Sequence, residues 1–339
     1  MRDYLESGLF DTYEETLLLV RRETVTGIVR WGVMAALDLE RYSWNAGDRT
    51  LVRATEGTIL DRIPPRKRIR ENAPLELPHI MVLISDAARS VIEPLAAMSD
   101  TLTSVYDVEL MQGGGRVTGW AVPEQAIPGF ADALAALYDA VDPTDPLLFA
   151  MGDGNHSFAT AKSCWEDLRA TLSDADRETH PARWALVEIE NIFDQGLEFE
   201  PIHRVLFDTP REVFESELAR HCASFQVSSA ENVAHVLETV SSATQQTFGY
   251  CDESGYATYA LTDPEASISA GTLQAVIDAL VAAGREVDYI HGKEATSTIG
   301  RRPTNLGLFL PAIPKASFFS SIVTGGALPR KTFSLGEAD

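Results

Sequence analysis

The chain has 339 residues, enough for one large or two ordinary domains, and its 45% hydrophobic and 23% charged content fits a globular protein. A formal net charge of −22 opposes contact with nucleic-acid backbones, no apolar run approaches the length of a membrane span, and the opening MRDYLESGLFDTYEE has no signal-peptide pattern. Three widely spaced cysteines without a CxxC pattern argue against a disulfide framework or a structural zinc, which leaves a cytoplasmic address as the default.

Residues 1–16 read as a short acidic helix, followed by strands at 16–20 and 26–37 joined as a hairpin through Arg21–Thr24. Residues 53–74 then concentrate six basic side chains (Arg53, Arg62, Arg66, Lys67, Arg68, Arg70) in an otherwise acidic protein. Pro64 and Pro65 are expected to interrupt any single helix here, although the spacing of Arg62, Arg66 and Arg70 suits one helical face. Planar guanidinium groups match phosphate or carboxylate, and the competing reading pairs them with Glu56, Asp61, Glu71 and Glu76. A buried strand is expected over 79–86, a helix over 91–102, and a hairpin from strands 106–111 and 117–122 that turns on Gly113–Gly115. An amphipathic helix over 130–141 leads to a short buried strand, 146–149.

The stretch Ala150-Met151-Gly152-Asp153-Gly154-Asn155-His156-Ser157 comes next, and Phe158, Ala161, Trp165 and Leu168 follow at helical spacing. Strand, glycine turn and helix start place polar residues where helix N–H groups are unpaired and the dipole favours an anion. A helix capped by Asn155 or Ser157 explains the same spacing equally well. Residues 172–182 read as a loop and 184–192 as a long strand, and His203-Arg204 sits in an apolar context. From residue 210 the pattern becomes that of a smaller α/β lobe. Helices are expected at 211–222, 231–240 and 271–283, with strands at 224–227, 247–250 and 257–261. Strands at 289–292 and 306–310 are expected to return to the main body, ahead of a basic tail at 327–334. The expected division is therefore 1–208 for the main domain, 209–286 for the lobe and 287–339 for the return. His79, His156, His203 and His291 are isolated in sequence, and the chain lacks HExxH, GxSxG, GxxxxGK[ST] and GxGxxG patterns.

The motifs GDGNHSFATAK, RATEGTILDRIPPRKRIRENAPLELPHIMVLISD, ALVEIENI, LEFEPIHRVLF and LPRKTFSLGEA closely resemble the bacterial and archaeal domain-of-unknown-function 1015 family over nearly the whole chain. That family is similar in turn to ParB-type and sulfiredoxin-like proteins and has a relative that acts as an ADP-dependent free-serine kinase. The resemblance implies an α/β (α+β) fold with mixed sheets and flanking helices, a ParB/sulfiredoxin-like core and a second lobe. It also implies a nucleotide-binding small-molecule kinase using ADP or ATP and Mg²⁺, with a small-molecule substrate and the oligomeric state left open. A nucleotide-binding regulatory or scaffold protein of the same fold is the alternative.

In those relatives a DGHHR-type turn holds nucleotide phosphates, a role the resemblance carries onto Gly152, Gly154, Asn155, His156 and Ser157. Asp153 would bind Mg²⁺ or act as base. His203, with neighbouring Arg204, would join His156 in orienting phosphate or substrate, and Arg53, Glu56, Arg62, Arg66 and Arg70 complete the expected phosphate and nucleotide set. Ser157 stands where kinase-like members have Arg, so the arginines of 53–70 are expected to fold against this turn. The resemblance further implies a segment before Met1 and a strand after the FSLGEA motif. The acidic base of the serine kinase has no placed counterpart here.

Overall fold

A computed structural model describes residues 1–45, 47–77 and 80–335; His79, at the head of the expected 79–86 strand, and the end of the FSLGEA motif lie outside the described residues. The chain divides into two units, Met1–Glu198 and Phe199 onward.

The first unit is a nine-stranded mixed sheet of order β3-β4-β8-β5-β9-β2-β1-β7-β6. Its strands are β1 (Leu18–Glu23), β2 (Val29–Asp38), β3 (Tyr42–Ser43), β4 (Val52–Arg53), β5 (Met81–Ile84), β6 (Thr103–Glu109), β7 (Arg116–Ala121), β8 (Phe149–Asp153) and β9 (Trp184–Asn191). The helices are α1 (Arg2–Glu6), α2 (Ile63–Arg70), α3 (Glu93–Ala97), α4 (Ile127–Asp139), α5 (Asn155–Arg169) and α6 (Asp174–Thr179). Strand β9 shows why the sheet is two-sided. Ala185, Val187 and Ile189 alternate onto one face, in register with Leu37, Ala35 and Val33 of β2. That face packs Val82, Ile84, Met151, Phe158 and Trp165 into one apolar core. The intervening Glu188 and Glu190 fall on the opposite face.

Several expectations change in the structure. Pro64 and Pro65 do not break a helix. They open α2 in its first turn, where a missing N–H costs nothing, so the helix runs from Ile63 to Arg70. The first hairpin turns later than expected because Arg21 to Glu23 still pair with β2 and β7. The expected 91–102 helix shortens to α3 and a 3-10 turn, and the 172–182 loop contains α6 with a Ser173 cap. Gly113–Gly115 is the β6–β7 turn, and at Gly115 (φ 83°) an added Cβ would collide with the Glu23 carbonyl.

The second unit holds a six-stranded antiparallel sheet of order β12-β14-β13-β16-β11-β15 and a two-stranded β10–β17 pair. Its strands are β10 (Glu200–Pro201), β11 (His203–Phe207), β12 (Cys222–Ala230), β13 (Thr247–Asp252), β14 (Gly255–Pro264), β15 (Glu286–Ile290), β16 (Leu306–Phe309) and β17 (Phe333–Ser334). Helices α7 (Arg211–Leu218) and α9 (Ser269–Ala282) bury Phe214, Leu218, Leu273 and Ile277 against one face. Helix α8 (Val233–Ser242) covers Cys251 and Phe309 on the other. Helices α10 (Lys293–Gly300) and α11 (Lys315–Gly325) lie outside the helices expected from the sequence. The division differs from the expected 1–208, 209–286 and 287–339. Strand β11 pairs with β15 on one side and β16 on the other, so the segment after 286 completes this sheet rather than the first.

Phe158 links fold and candidate site, being fully buried with its ring edge-on to Tyr42 at 4.7 Å between centroids. Phe158→Ala should cost about 3–5 kcal/mol in urea unfolding, the usual range for emptying a large core position.

Candidate functional site

The β8–α5 connection is the feature toward which most of the predicted residues converge. Phe149, Ala150 and Met151 are buried in the sheet. A register shift between Met81 and Val82 then leaves Gly152 as an extra residue before Asp153, whose side chain is exposed at the strand end. Gly154 takes left-handed angles (φ 84°, ψ 18°), which its lack of a Cβ makes inexpensive, and its carbonyl accepts the first helical bond from Phe158 N–H at 2.9 Å. As a glycine it offers no side chain to cap α5. The N-cap is therefore Gly154, and Asn155 and Ser157 lie inside the first turn, half-buried, rather than capping it. Among the described residues, Asn155 Oδ1 is buried without a hydrogen-bond partner.

His156 is held from the residue 53–70 side. Ile59 N–H donates to its Nε2 at 3.2 Å, which places the ring proton on Nδ1. Burial, and then the Arg62 and Arg66 guanidinium groups, push the imidazole below its ordinary pKa, so the ring is neutral near pH 7. Arg62 and Arg66 are exposed, and neither has a carboxylate partner among the described residues; Arg66 Nη1 reaches the Arg62 carbonyl at 3.3 Å. Lys67 ties α2 to α5, with Nζ 3.1 Å from Ser163 Oγ, 3.2 Å from the Ser163 carbonyl and 2.5 Å from Asp167 Oδ2.

The other basic residues have different surroundings. Arg53 pairs with Asp145 and donates to the Thr50 and Pro146 carbonyls at 3.1 and 2.8 Å, bracing the entry to β8. Arg70 pairs with Glu76, as the local-pairing reading anticipated for one of these arginines. Glu56 is half-buried just after Thr55, whose hydroxyl donates to the Met151 carbonyl at 2.7 Å. Thus Arg62 and Arg66 come to the turn, while Arg53 and Arg70 are engaged beside it. Lys67 as a tether and the Ile59 N–H that sets the imidazole tautomer had no signal in the sequence, since a backbone donor leaves none.

His203 and Arg204 belong to the second unit, on β11. His203 Nδ1 accepts from Leu310 N–H at 3.2 Å, and its ring lies edge-on to Phe309. Arg204 is fully buried, donates to the Ile202 carbonyl and lies 4.9 Å over the Tyr289 ring. Burial, with Arg204 and His291 adding repulsion, lowers the His203 pKa from 6.5 to about 4. A base whose folded pKa is depressed stabilises the fold above its unfolded pKa, and that stability is lost as pH falls between the two values. His203 should therefore titrate by NMR with a midpoint near pH 4. Up to about 3 kcal/mol of stability should disappear between pH 6.5 and 4, and His203→Asn should flatten that slope.

Among the described residues no helix is long and apolar enough to cross a membrane, and no group of three or more His, Cys, Asp or Glu could hold a metal ion. None of the curated proteins compared matches the chain. Among solved structures, the chain is similar to a free serine kinase mutant in complex with AMP, at 10% identity and a TM-score of 0.47, covering 89% of this chain and 86% of that one. It is similar to a free serine kinase mutant in complex with ADP, at 10% identity and a TM-score of 0.47, covering 95% and 90%. A conserved hypothetical protein from Pyrococcus furiosus is a further likeness, at 12% identity and a TM-score of 0.43, covering 89% of each. The family model described as "Protein of unknown function (DUF1015)" matches residues 1–280, and with that span the chain belongs to the DUF1015 family.

Proposed function

We propose that this protein binds the phosphate groups of a nucleotide, ADP or ATP, at the N-terminus of α5, and transfers a phosphoryl group to the hydroxyl of a small molecule. The observation that supports this reading best is the pair Arg62 and Arg66. They are two exposed guanidinium groups without carboxylate partners among the described residues, set beside His156 at a helix end whose N-cap is a glycine.

Each part has a physical role. The N-terminal end of α5 supplies N–H donors and a positive dipole end, and Gly152 and Gly154 let an anion approach the backbone closely. Arg62 and Arg66 balance phosphate charge with forked donors. His156 offers Nδ1–H as a neutral donor, and Asn155 and Ser157 add polar groups in the first turn. Asp153 presents one carboxylate, which suits a Mg²⁺ held chiefly by phosphate oxygens and water rather than by a protein cage. In this reading Arg53, Arg70 and Glu56 frame the turn, and the ParB/sulfiredoxin-like resemblance describes the core. Phosphoryl transfer asks for positioning and charge neutralisation more than covalent chemistry, which this set of groups can supply. One observation favours binding without transfer: Asp153 is the only carboxylate inside the Gly152–Ser157 turn.

ADP or ATP at about 100 times its Kd should stabilise the protein by about 2.7 kcal/mol in a thermal-shift experiment. Arg62→Gln together with Arg66→Gln should remove that shift and leave the unliganded stability within about 0.5 kcal/mol, since neither side chain carries an ion pair among the described residues. Persistence of the full shift in the double variant would place the phosphates elsewhere. Phosphorus NMR with Mg²⁺ and a hydroxyl acceptor such as serine then separates transfer from binding.

A further inference from the structure

The nine- and six-stranded sheets end in four edge strands, and three of these are protected against further pairing. In the first sheet β3 is two residues long, while β6 carries Asp107 and Glu109 and shifts register between Ser104 and Tyr106. In the second sheet β15 carries exposed Glu286 and Asp288. The fourth edge, β12, has none of these devices. Its nine residues, Cys222 to Ala230, include no charged side chain and no proline, and they pair with β14 in steady register. Among the described residues β14 is the only strand that pairs with it. Ala223, Ser224, Gln226, Ser228 and Ser229 are exposed along it. A long edge free of charge is a template for another strand, and here it belongs to a chain of net charge −22.

The residues of β12 indicate what can pair there. In an antiparallel two-fold contact, only an axis at Gln226 lets all nine residues meet all nine of a second copy. That register sets Gln226 opposite itself, Ser224 opposite Ser228 and Phe225 opposite Val227. Phe225 and Val227 project to the face that α7 and α9 cover, where they pack on the apolar cluster but stay half-buried at its rim. The Phe225 ring is edge-on to Tyr259 at 5.5 Å between centroids. A second copy would continue this row, giving an aromatic–β-branched pair at two positions and covering apolar surface that one copy leaves wet. At each end of the contact the same register brings Arg220, its side chain 71% exposed beside Glu217, alongside the exposed Glu231 of the other copy. Full overlap, apolar pairing and this opposite-charge encounter coincide in one register, and the strand that meets all three is β12 itself.

We propose that the protein forms a two-fold dimer through β12, with the two six-stranded sheets joined edge to edge into one continuous sheet. The added ladder supplies backbone hydrogen bonds, and the Phe225–Val227 pairs fix its register. The inference is independent of the nucleotide reading, because β12 lies in the second unit and the β8–α5 turn in the first.

Sedimentation equilibrium of the whole chain at micromolar concentration should show association to a dimer. Ser224→Lys together with Ser228→Lys sets two like-charge pairs across the axis and should raise the dissociation constant about tenfold. Ser224→Glu together with Ser228→Glu should do the same, and an equimolar mixture of the two variants should recover the wild-type association. Both serines are exposed, so the circular dichroism of each variant should match the wild type. Gln226→Cys gives a second measurement with little demand on the fold, since mild oxidation should link two chains through residue 226. A wild type that stays monomeric overturns the inference, as does a dimer unaffected by either pair of substitutions. A mixture that fails to recover, with no link at residue 226, overturns the register centred on Gln226.

Discussion

The seating of α5 on the nine-stranded sheet decides where the candidate site can be. Phe158, Ala159, Ala161 and Trp165 give the helix a fully buried stripe, so it has one rotation and one height above β8. With the helix fixed, its first turn has to begin where β8 ends. A single left-handed residue then connects extended backbone to helix, and Gly154 meets that requirement. Trp165 adds a polar anchor farther along, its indole N–H donating to Glu40 Oε1 at 2.6 Å. The glycine N-cap is thus a consequence of core packing at the other positions of the same helix.

Charge distribution gives this arrangement its direction. The chain as a whole is strongly acidic at −22, and such a field repels free phosphates in general. Against that background most arginines of the first unit are neutralised locally: Arg183 by Asp38 and Glu178, Arg116 by Asp107, Arg53 by Asp145, Arg70 by Glu76. Among the described residues Arg62 and Arg66 fall outside this pattern, as does Arg68 of the same helix. The basic helix carries them at its start, where Pro64 and Pro65 fix the backbone without needing N–H partners.

Much of this was readable in the residues, for reasons that can be stated. The β9 strand and the β6–β7 hairpin follow from alternation and glycine position, and the strand–turn–helix around Gly152–Ser157 from the switch between a period near 2 and a period near 3.6. The boundaries of β8 and α5 were less visible, because Ala150 and Met151 suit either state and Asn155 and Ser157 look like caps. The pairing of β15 and β16 with β11 is a long-range choice that local pattern does not encode. At the site, the arginine cluster was evident, yet which members face His156 depends on the helix start at Ile63 and on Lys67, neither of which spacing reveals. The Glu188–Glu190 face was present as polar residues alternating with apolar ones, a pattern that by itself reads as a solvated strand.

Lys67 has a consequence for the thermodynamics of any anion that arrives. Its contacts to Ser163 and Asp167 fix the register of α2 along α5 before a ligand is present. The donors of the helix end and the backbones of Arg62 and Arg66 therefore start in place relative to one another. The ordering entropy that remains is that of two exposed arginine side chains, about 0.5–1.5 kcal/mol each. An anion arriving there would meet a preorganised frame, with the Lys67 contacts lowering the entropic cost of binding.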